Sequence, residues 1–418
     1  MTQINLNNSA TTPEERKRGF MVLFISLICI GMGKTVMFSI LPAMGAEMGL
    51  SVLQVTAIFA TNAGAWVIFS PIWGRKSDFW GRRPVILIGF FGYAASLVAL
   101  AFVTDMGLSK TWPLYVVYPL MVLARLIFGV VGSGSVPAAQ AYVTDRTSRE
   151  ERAGGLARLA GAFGFGSMIG PALGGIVAIY MGFLAPIYFV AGMAFLSGIL
   201  IWYYLPERTG PSESKKIEKV SFMLPEVLPF VLGSAVIGVG MAVSQQLIVY
   251  YSIDVFGMNK EQATANGGIG LMISSFMTLF MQLVIIPRLN VSPGIILKGG
   301  VLFIVIAFAV MAAAQDLYIM LIAMGLYGIG FGFAMPSASA AVSLSVGVDK
   351  QGATAGLISS GHSVGNIIGA LAAGLIYSYS TSGAYIFAFV LSAAFLIYAV
   401  LNPRINVTVQ QPPLPVKG

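Results

Sequence analysis

Twelve stretches of 20 or more mostly apolar residues run through the chain. They lie at about 20–45, 53–74, 84–105, 113–142, 156–180, 183–205, 226–253, 263–287, 295–315, 317–345, 353–379 and 382–402. A helix needs about 20 such residues to cross roughly 30 Å of hydrocarbon. Inside lipid only helices and closed barrels satisfy every backbone polar group, and the ten-residue alternating segments of a barrel are absent. The pattern predicts an all-α membrane protein with twelve transmembrane helices. Composition excludes a water-soluble enzyme: 57% of the 418 residues are hydrophobic and 10% charged, against about 25% charged in a soluble domain. A soluble fold has no interior large enough for this much apolar surface.

The net charge of +8 reads as topology rather than as a nucleic-acid surface. With both termini inside, the inner loops and ends hold 20 Lys and Arg residues and the outer loops hold two, Lys110 and Lys260. Lys and Arg collect on the cytoplasmic side, so both termini are expected in the cytoplasm. The polar segment before the first span lacks the features of a cleaved signal peptide. Short loops point to a bacterial inner membrane. The single cysteine, Cys29, closes no internal disulfide and offers no metal cluster, and nothing calls for a cofactor.

The longest polar stretch between spans, 206–225, divides the chain into six helices (1–205) and six helices (226–418). A shift of 199 residues superimposes Gly129 on Gly328, Pro137 on Pro336, Gly166 on Gly365, Gly170 on Gly369 and Gly175 on Gly374; a shift of 208 places Gly49 on Gly257 and Thr56 on Thr264. The matches are mostly Gly and Pro, so what repeats is backbone geometry. Two pseudo-symmetric six-helix bundles joined by a linker suit a transporter that rocks about a midplane site.

Between the second and third spans the chain reads Gly74-Arg75-Lys76-Ser77-Asp78-Phe79-Trp80-Gly81-Arg82-Arg83. This is a tight inner turn with two glycines for close helix approach, one carboxylate at a helix end and four cations. The fourth span carries Arg125-Leu126-Ile127-Phe128-Gly129. The fifth carries Gly166-Ser167-Met168-Ile169-Gly170-Pro171-Ala172-Leu173-Gly174-Gly175, whose small-xxx-small spacing lets helices touch backbone to backbone. Leu41-Pro42 is expected to end the first helix. Together these segments resemble the major facilitator superfamily, and the fifth-span element resembles its drug–proton antiporter branch, which includes tetracycline and multidrug exporters. The resemblance implies that Asp78 and Arg82, beside Gly74 and Gly81, latch an inner gate with Asp145. It also implies that Gly166, Gly170, Pro171, Gly174 and Gly175 form the bend along which the halves slide. It further implies export coupled to protons. The second-half counterpart of the gate loop, Pro287 to Gly294, has no acid.

What the first half holds in mid-membrane is basic. Lys34 falls about fourteen residues into the first span and Arg125 about twelve into the fourth, each roughly 20 Å from its helix start. Neither stem snorkels that far, and such a charge costs about 2.5–3.5 kcal/mol to insert. The two cations therefore imply a polar cavity that attracts an anionic or zwitterionic group, unless helix carbonyls simply hold them. Lys34 is also a candidate proton carrier, because no Asp or Glu lies mid-span in the first half. Further cavity candidates are Gln245, Gln246, Tyr250 and Tyr251; His362 and Asn366, which share a helix face at i, i+4; and the aromatic residues Trp66 and Tyr327.

Gly31 to Thr35 ends like a phosphate-binding loop but lacks its first glycine, where Ile28 stands. A serine-protease reading of Gly132-Ser133-Gly134 fails for want of a base in the same half. The expected function is alternating-access export of a small amphipathic, anionic metabolite or drug, coupled to protons, by a monomer in a lipid bilayer. An organic-anion uniporter or importer and a non-transporting membrane sensor are the alternatives.

Overall fold

The structure, a computed structural model, describes residues 12–207, 224–346 and 351–405; of the expected linker, residues 208–223 lie outside this set. Among the described residues every regular element is helical: α1 (Pro13–Met48), α2 (Val52–Trp80), α3 (Arg82–Leu108), α4 (Leu114–Val131), α5 (Ser135–Asp145), α6 (Arg149–Met181), α7 (Ala185–Tyr204), α8 (Leu228–Asp254), α9 (Lys260–Phe280), α10 (Pro293–Ala313), α11 (Leu317–Ser345), α12 (Gln351–Tyr377) and α13 (Gly383–Leu401). Eleven spans are long and apolar enough to cross a membrane, with α4 and α5 acting as one span, Leu114–Asp145. The twelfth span is α12, 27 residues long. Ser359, Ser360, His362, Ser363 and Asn366 lower its hydropathy without shortening it.

Local chemistry explains the boundaries. Thr12 with Glu15, Ser51 with Gln54 and Ser148 with Glu151 form reciprocal capping boxes at α1, α2 and α6. Each satisfies two backbone donors that a helix start leaves open. Gly49 closes α1 at φ 83°, a left-handed conformation that suits glycine. Pro42 does not end α1, as the sequence suggested; the helix runs on to Met48. A proline inside a helix forfeits one hydrogen bond, and the tight packing of Ile40, Leu41, Ala43 and Met44, all fully buried, outweighs that loss. The fourth span is interrupted by a 3₁₀ turn at Gly132–Gly134, and the eighth finishes through a π-turn at Met281–Ile285 and a 3₁₀ turn at Ile286–Arg288.

Two compact units arise. The first comprises Met1–Lys215 with Gln245–Met272, the second Lys216–Ser244 with Ile273–Gly418. In the first, α1 crosses α6 backbone to backbone. A Cβ on Gly166 would overlap the carbonyl of Ile28, one on Gly170 the carbonyl of Met32, and one on Gly31 the carbonyl of Phe163. Small residues allow this approach. Near one end of this unit a core of Leu23, Leu27, Ile30, Ile86, Phe90, Ala138, Tyr142 and Ile201 ties α1, α3, α5 and α7 together.

The second unit repeats the device. A Cβ on Gly365 would overlap the carbonyl of Ala235, one on Gly238 the carbonyl of His362, and one on Gly369 would press on the Val239 backbone. Gly129 sits against the Asn62 carbonyl in the first unit as Gly328 sits against the Ser274 carbonyl in the second. The glycine repeat in the sequence is thus a repeat of helix crossings.

Candidate functional site

At the basic end of the first unit, the loop between α2 and α3 turns on Gly81, at φ 95°. A Cβ there would lie 2.8 Å from the Glu207 carboxylate, which accepts a hydrogen bond from the Arg83 backbone at 2.8 Å. Glu207 therefore caps α3, whose own N-cap has no side chain to do so. Gly74, the other loop glycine, has nothing within 4 Å of the place a Cβ would take, so the expected close approach falls on Gly81 alone. Arg82, 9% exposed, pairs with Asp78 at 2.6 Å and with Asp145 at 3.0 Å. It also donates to Ser77 Oγ at 2.6 Å. Asp78, Arg82 and Asp145 thus come together on three helices. Sequence reasoning missed Ser77 and Glu207; their types and loop positions offered no distinguishing signal.

In mid-span, Lys34 lies 14 residues before the end of α1 and Arg125 lies 11 residues after the start of α4. At 1.5 Å per residue both sit roughly 17–21 Å from the same end of the unit. They lie within electrostatic reach of each other. Neither forms an ion pair among the described residues. Lys34 is only partly buried, its ammonium 6.0 Å from the Trp66 ring centroid and 5.9 Å from that of Phe163, the outer range for cation–π attraction. Arg125 is 1% exposed. Its guanidinium stands 5.3 Å from the Phe128 ring, and its Nε and Nη1 have no hydrogen-bond partner.

Aromatic rings connect the two cations. Trp66 meets Phe128 at 5.5 Å and Phe128 meets Tyr93 at 4.2 Å. One turn before Trp66 on α2, Asn62 leaves a buried Oδ1 unpartnered. Phe128 could have been read from its i, i+3 spacing to Arg125. Tyr93, Phe163 and Asn62 come from other helices, and spacing along the chain cannot find them. A buried unpaired donor is costly, and two nitrogens of the Arg125 guanidinium are left open in this way.

The remaining candidates fall into two groups. In the first unit Gln246, Tyr250 and Tyr251 are buried and Gln245 partly so; the side-chain oxygens of both glutamines lack partners, and Tyr251 meets Phe256 edge-on at 5.4 Å. In the second unit Tyr327 stands between Phe308 at 5.6 Å and Phe331 at 6.2 Å, and His362 meets Phe331 edge-on at 6.0 Å. His362 and Asn366 do share a face, the one on which Gly238 of α8 packs. Of the bend residues, Pro171 accepts from Ser39 at 3.2 Å, Gly174 faces Val36, and Gly175 packs on the backbone of Thr264 and Ala265.

A family profile described as Major Facilitator Superfamily matches residues 23–314 and 292–416. The chain belongs to that family. It is therefore a multi-pass membrane transporter of small molecules, not an enzyme, and the superfamily's fold suits alternating access. It is 26% identical over 413 residues to the "Staphyloferrin B transporter" of Staphylococcus aureus, covering 93% of this chain and 94% of that one. It is 24% identical over 403 residues to "Quinolone resistance protein NorA" of Staphylococcus aureus, covering 92% and 96%. In fold it resembles a bacterial homolog to the human lysosomal transporter Spinster, solved in an inward-facing and occupied conformation. That likeness has a TM-score of 0.72 and 14% identity, over 93% of this chain and 98% of the other.

Proposed function

We propose that this superfamily member exports small amphipathic molecules bearing an anionic group from the cytoplasm, driven by protons entering in exchange. The observation that carries the reading is the Lys34–Arg125 pair. Lys34 is partly accessible and flanked by Trp66 and Phe163, with the sealed Arg125 adding positive potential behind it. The ammonium meets the anion, and the rings hold an adjoining apolar body. Desolvation strengthens such an attraction relative to water.

Among the relatives, one is named for quinolone resistance, which accords with export, and another for transporting staphyloferrin B, which accords with a small organic cargo. The protein acts as a monomer in a bacterial inner membrane with both termini in the cytoplasm, as the distribution of Lys and Arg supports. The covalent halves 1–205 and 226–418 are the rocking bodies and 206–225 the linker. Asp78, Arg82 and Asp145 hold the inner gate, while the glycines and Pro171 of α6 serve the sliding surface.

The test is accumulation of a panel of organic anions and cations in inverted membrane vesicles, with and without a proton gradient. Anion uptake that vanishes when the gradient is collapsed supports the proposal; a panel in which only cations move overturns it. An organic-anion uniporter is the second reading, favoured by the lack of any mid-span carboxylate in the first half. It predicts anion flux that survives collapse of the gradient.

A further inference from the structure

On the basic-end side of the α1–α6 crossing, a cavity of about 750 Å³ is lined by residues of α1 and α6 and by Val143 near the end of α5. Its rim carries Arg16, Lys17 and Arg158, with Glu151 as the one acid; its wall includes Phe20, Met21, Phe24 and Leu159. Glu151 is already engaged. Its carboxylate closes the capping box of α6 and stands 3.7 Å from Arg16. Lys17 and Arg158 form no ion pair among the described residues, so the rim presents uncompensated positive charge. Gly154 and Gly155 contribute no side chains to the α6 wall between Glu151 and Arg158.

Along α1 the lining is polarised: Arg16 and Lys17 stand near the helix start, and Phe20, Met21 and Phe24 follow over roughly 10 Å. Arg158 faces the same cavity from farther along α6. Met21 is 55% and Ile25 44% exposed, which continues the apolar strip out of the cavity along α1. A free phosphate would use only the rim and leave the strip uncovered. A molecule with an anionic head and hydrocarbon tails matches both ends, and basic pockets between membrane helices at this depth suit anionic lipid headgroups.

We propose that this cavity is a binding site for an anionic phospholipid, with the phosphate on Lys17 and Arg158 and an acyl chain along Phe20, Met21 and Phe24. The site is separate from Lys34 and Arg125 and from the Asp78–Arg82–Asp145 gate. A lipid seated there bridges α1 and α6 on the basic-end side of the crossing held by Gly31 and Gly166.

The experiment is native mass spectrometry of the full-length protein titrated with dioleoylphosphatidylglycerol or dioleoylphosphatidylcholine. The double variant Lys17→Gln/Arg158→Gln is compared with a charge control, Arg404→Gln, at an exposed position that does not line the cavity. The expected result is retention of phosphatidylglycerol over phosphatidylcholine, lowered at least about tenfold in the double variant and unchanged in the control. Excess inorganic phosphate should not displace the lipid. Equal retention of the two lipids, equal retention by the double variant and wild type, or displacement by inorganic phosphate would each overturn the proposal. If the double variant extracts poorly, Met21→Glu supplies the second check: a carboxylate in the tail path should lower retention while the cations stay in place.

Discussion

The two halves of the chain share their backbone crossings and differ in their chemistry. Gly31, Gly166 and Gly170 bring α1 onto α6 as Gly238, Gly365 and Gly369 bring α8 onto α12. At the crossings the offset is 207 residues on the first helix of each pair, becoming 208 by Gly49 and Gly257, and 199 on the second. Carrying those offsets to the charged residues places Met241 where the first half has Lys34, and Met324 where it has Arg125. Phe163, against the Lys34 ammonium, corresponds to His362. Glycine is indispensable at a crossing because any Cβ collides with a carbonyl, so geometry constrains both halves alike. Charge is free to differ, and it gathers in one half. On the function proposed above, anion recognition belongs to the first half, on a frame that both halves possess.

The sharpest test of the shared frame is to fill the crossings. Gly166→Val and Gly365→Val each force two backbones apart, with an overpacking cost of about 1–3 kcal/mol or more. Both should lose folded, monodisperse protein on extraction by about tenfold or more, measured by fluorescence-detected gel filtration, and to similar extents. A tolerated Gly365→Val beside a ruinous Gly166→Val would break the equivalence. Gly74→Ala, at an open position, is the control and should extract like wild type.

The next effect concerns the difference in charge. Lys34→Met gives the first half the side chain that the second half has at Met241. Anion flux should fall at least tenfold in vesicle assays, while thermal stability in detergent holds or rises, because a cation is costly to keep in mid-membrane. The reciprocal control, Met241→Leu, should change flux less than twofold. Unchanged anion flux in Lys34→Met would remove the basis for placing recognition in the first half.

These contrasts also show what a sequence can disclose. Helix number was legible because membrane thickness fixes span length, and the crossings were legible because close approach admits only small residues at a regular spacing. The Asp78–Arg82–Asp145 cluster was legible through the family resemblance of the α2–α3 loop, not from charge alone. Pro42 misled because its penalty is local while the packing that overrides it comes from other helices. Tyr93, Phe163 and Asn62 went unnoticed for a related reason. They are ordinary residues for a membrane helix, and only the fold brings them beside Lys34 and Arg125. Glu207 was hidden because its role depends on Gly81, far away in the chain.

A smaller effect separates the α2–α3 loop from its counterpart in the second half. Arg82 joins two carboxylates and a serine hydroxyl, whereas Arg288, in the corresponding loop of the second half, donates to the Val284 carbonyl of its own turn. Arg82→Gln should slow flux several-fold, since a buried cation is withdrawn from two acids that are left facing each other. Arg288→Gln should stay within twofold of wild type. Equal losses would mean that the loops act alike despite their unequal acids.

The smallest effect belongs to the end of the first unit remote from the gate, where Glu47 of α1 pairs with Lys260 of α9. Both side chains are well exposed, at 48% and 34%. Exposed pairs contribute about 0.2–1 kcal/mol and weaken as salt screens them. This pair accompanies a dry contact, since Gly175 lies on the backbone of Thr264 and Ala265 and Gly268 lies on the Pro171 carbonyl. The packing is independent of ionic strength and the ion pair is not. Glu47→Lys should therefore shift the rate of transport by no more than about fivefold, with the shift shrinking as salt is raised. Adding Lys260→Glu should restore the pair and the rate. If the double exchange fails to restore it, the pair is incidental and the glycine packing alone holds the start of α9, Lys260–Met272, in the first unit. The two ends would then differ in kind: charge at the gate, and close backbone contact at the other.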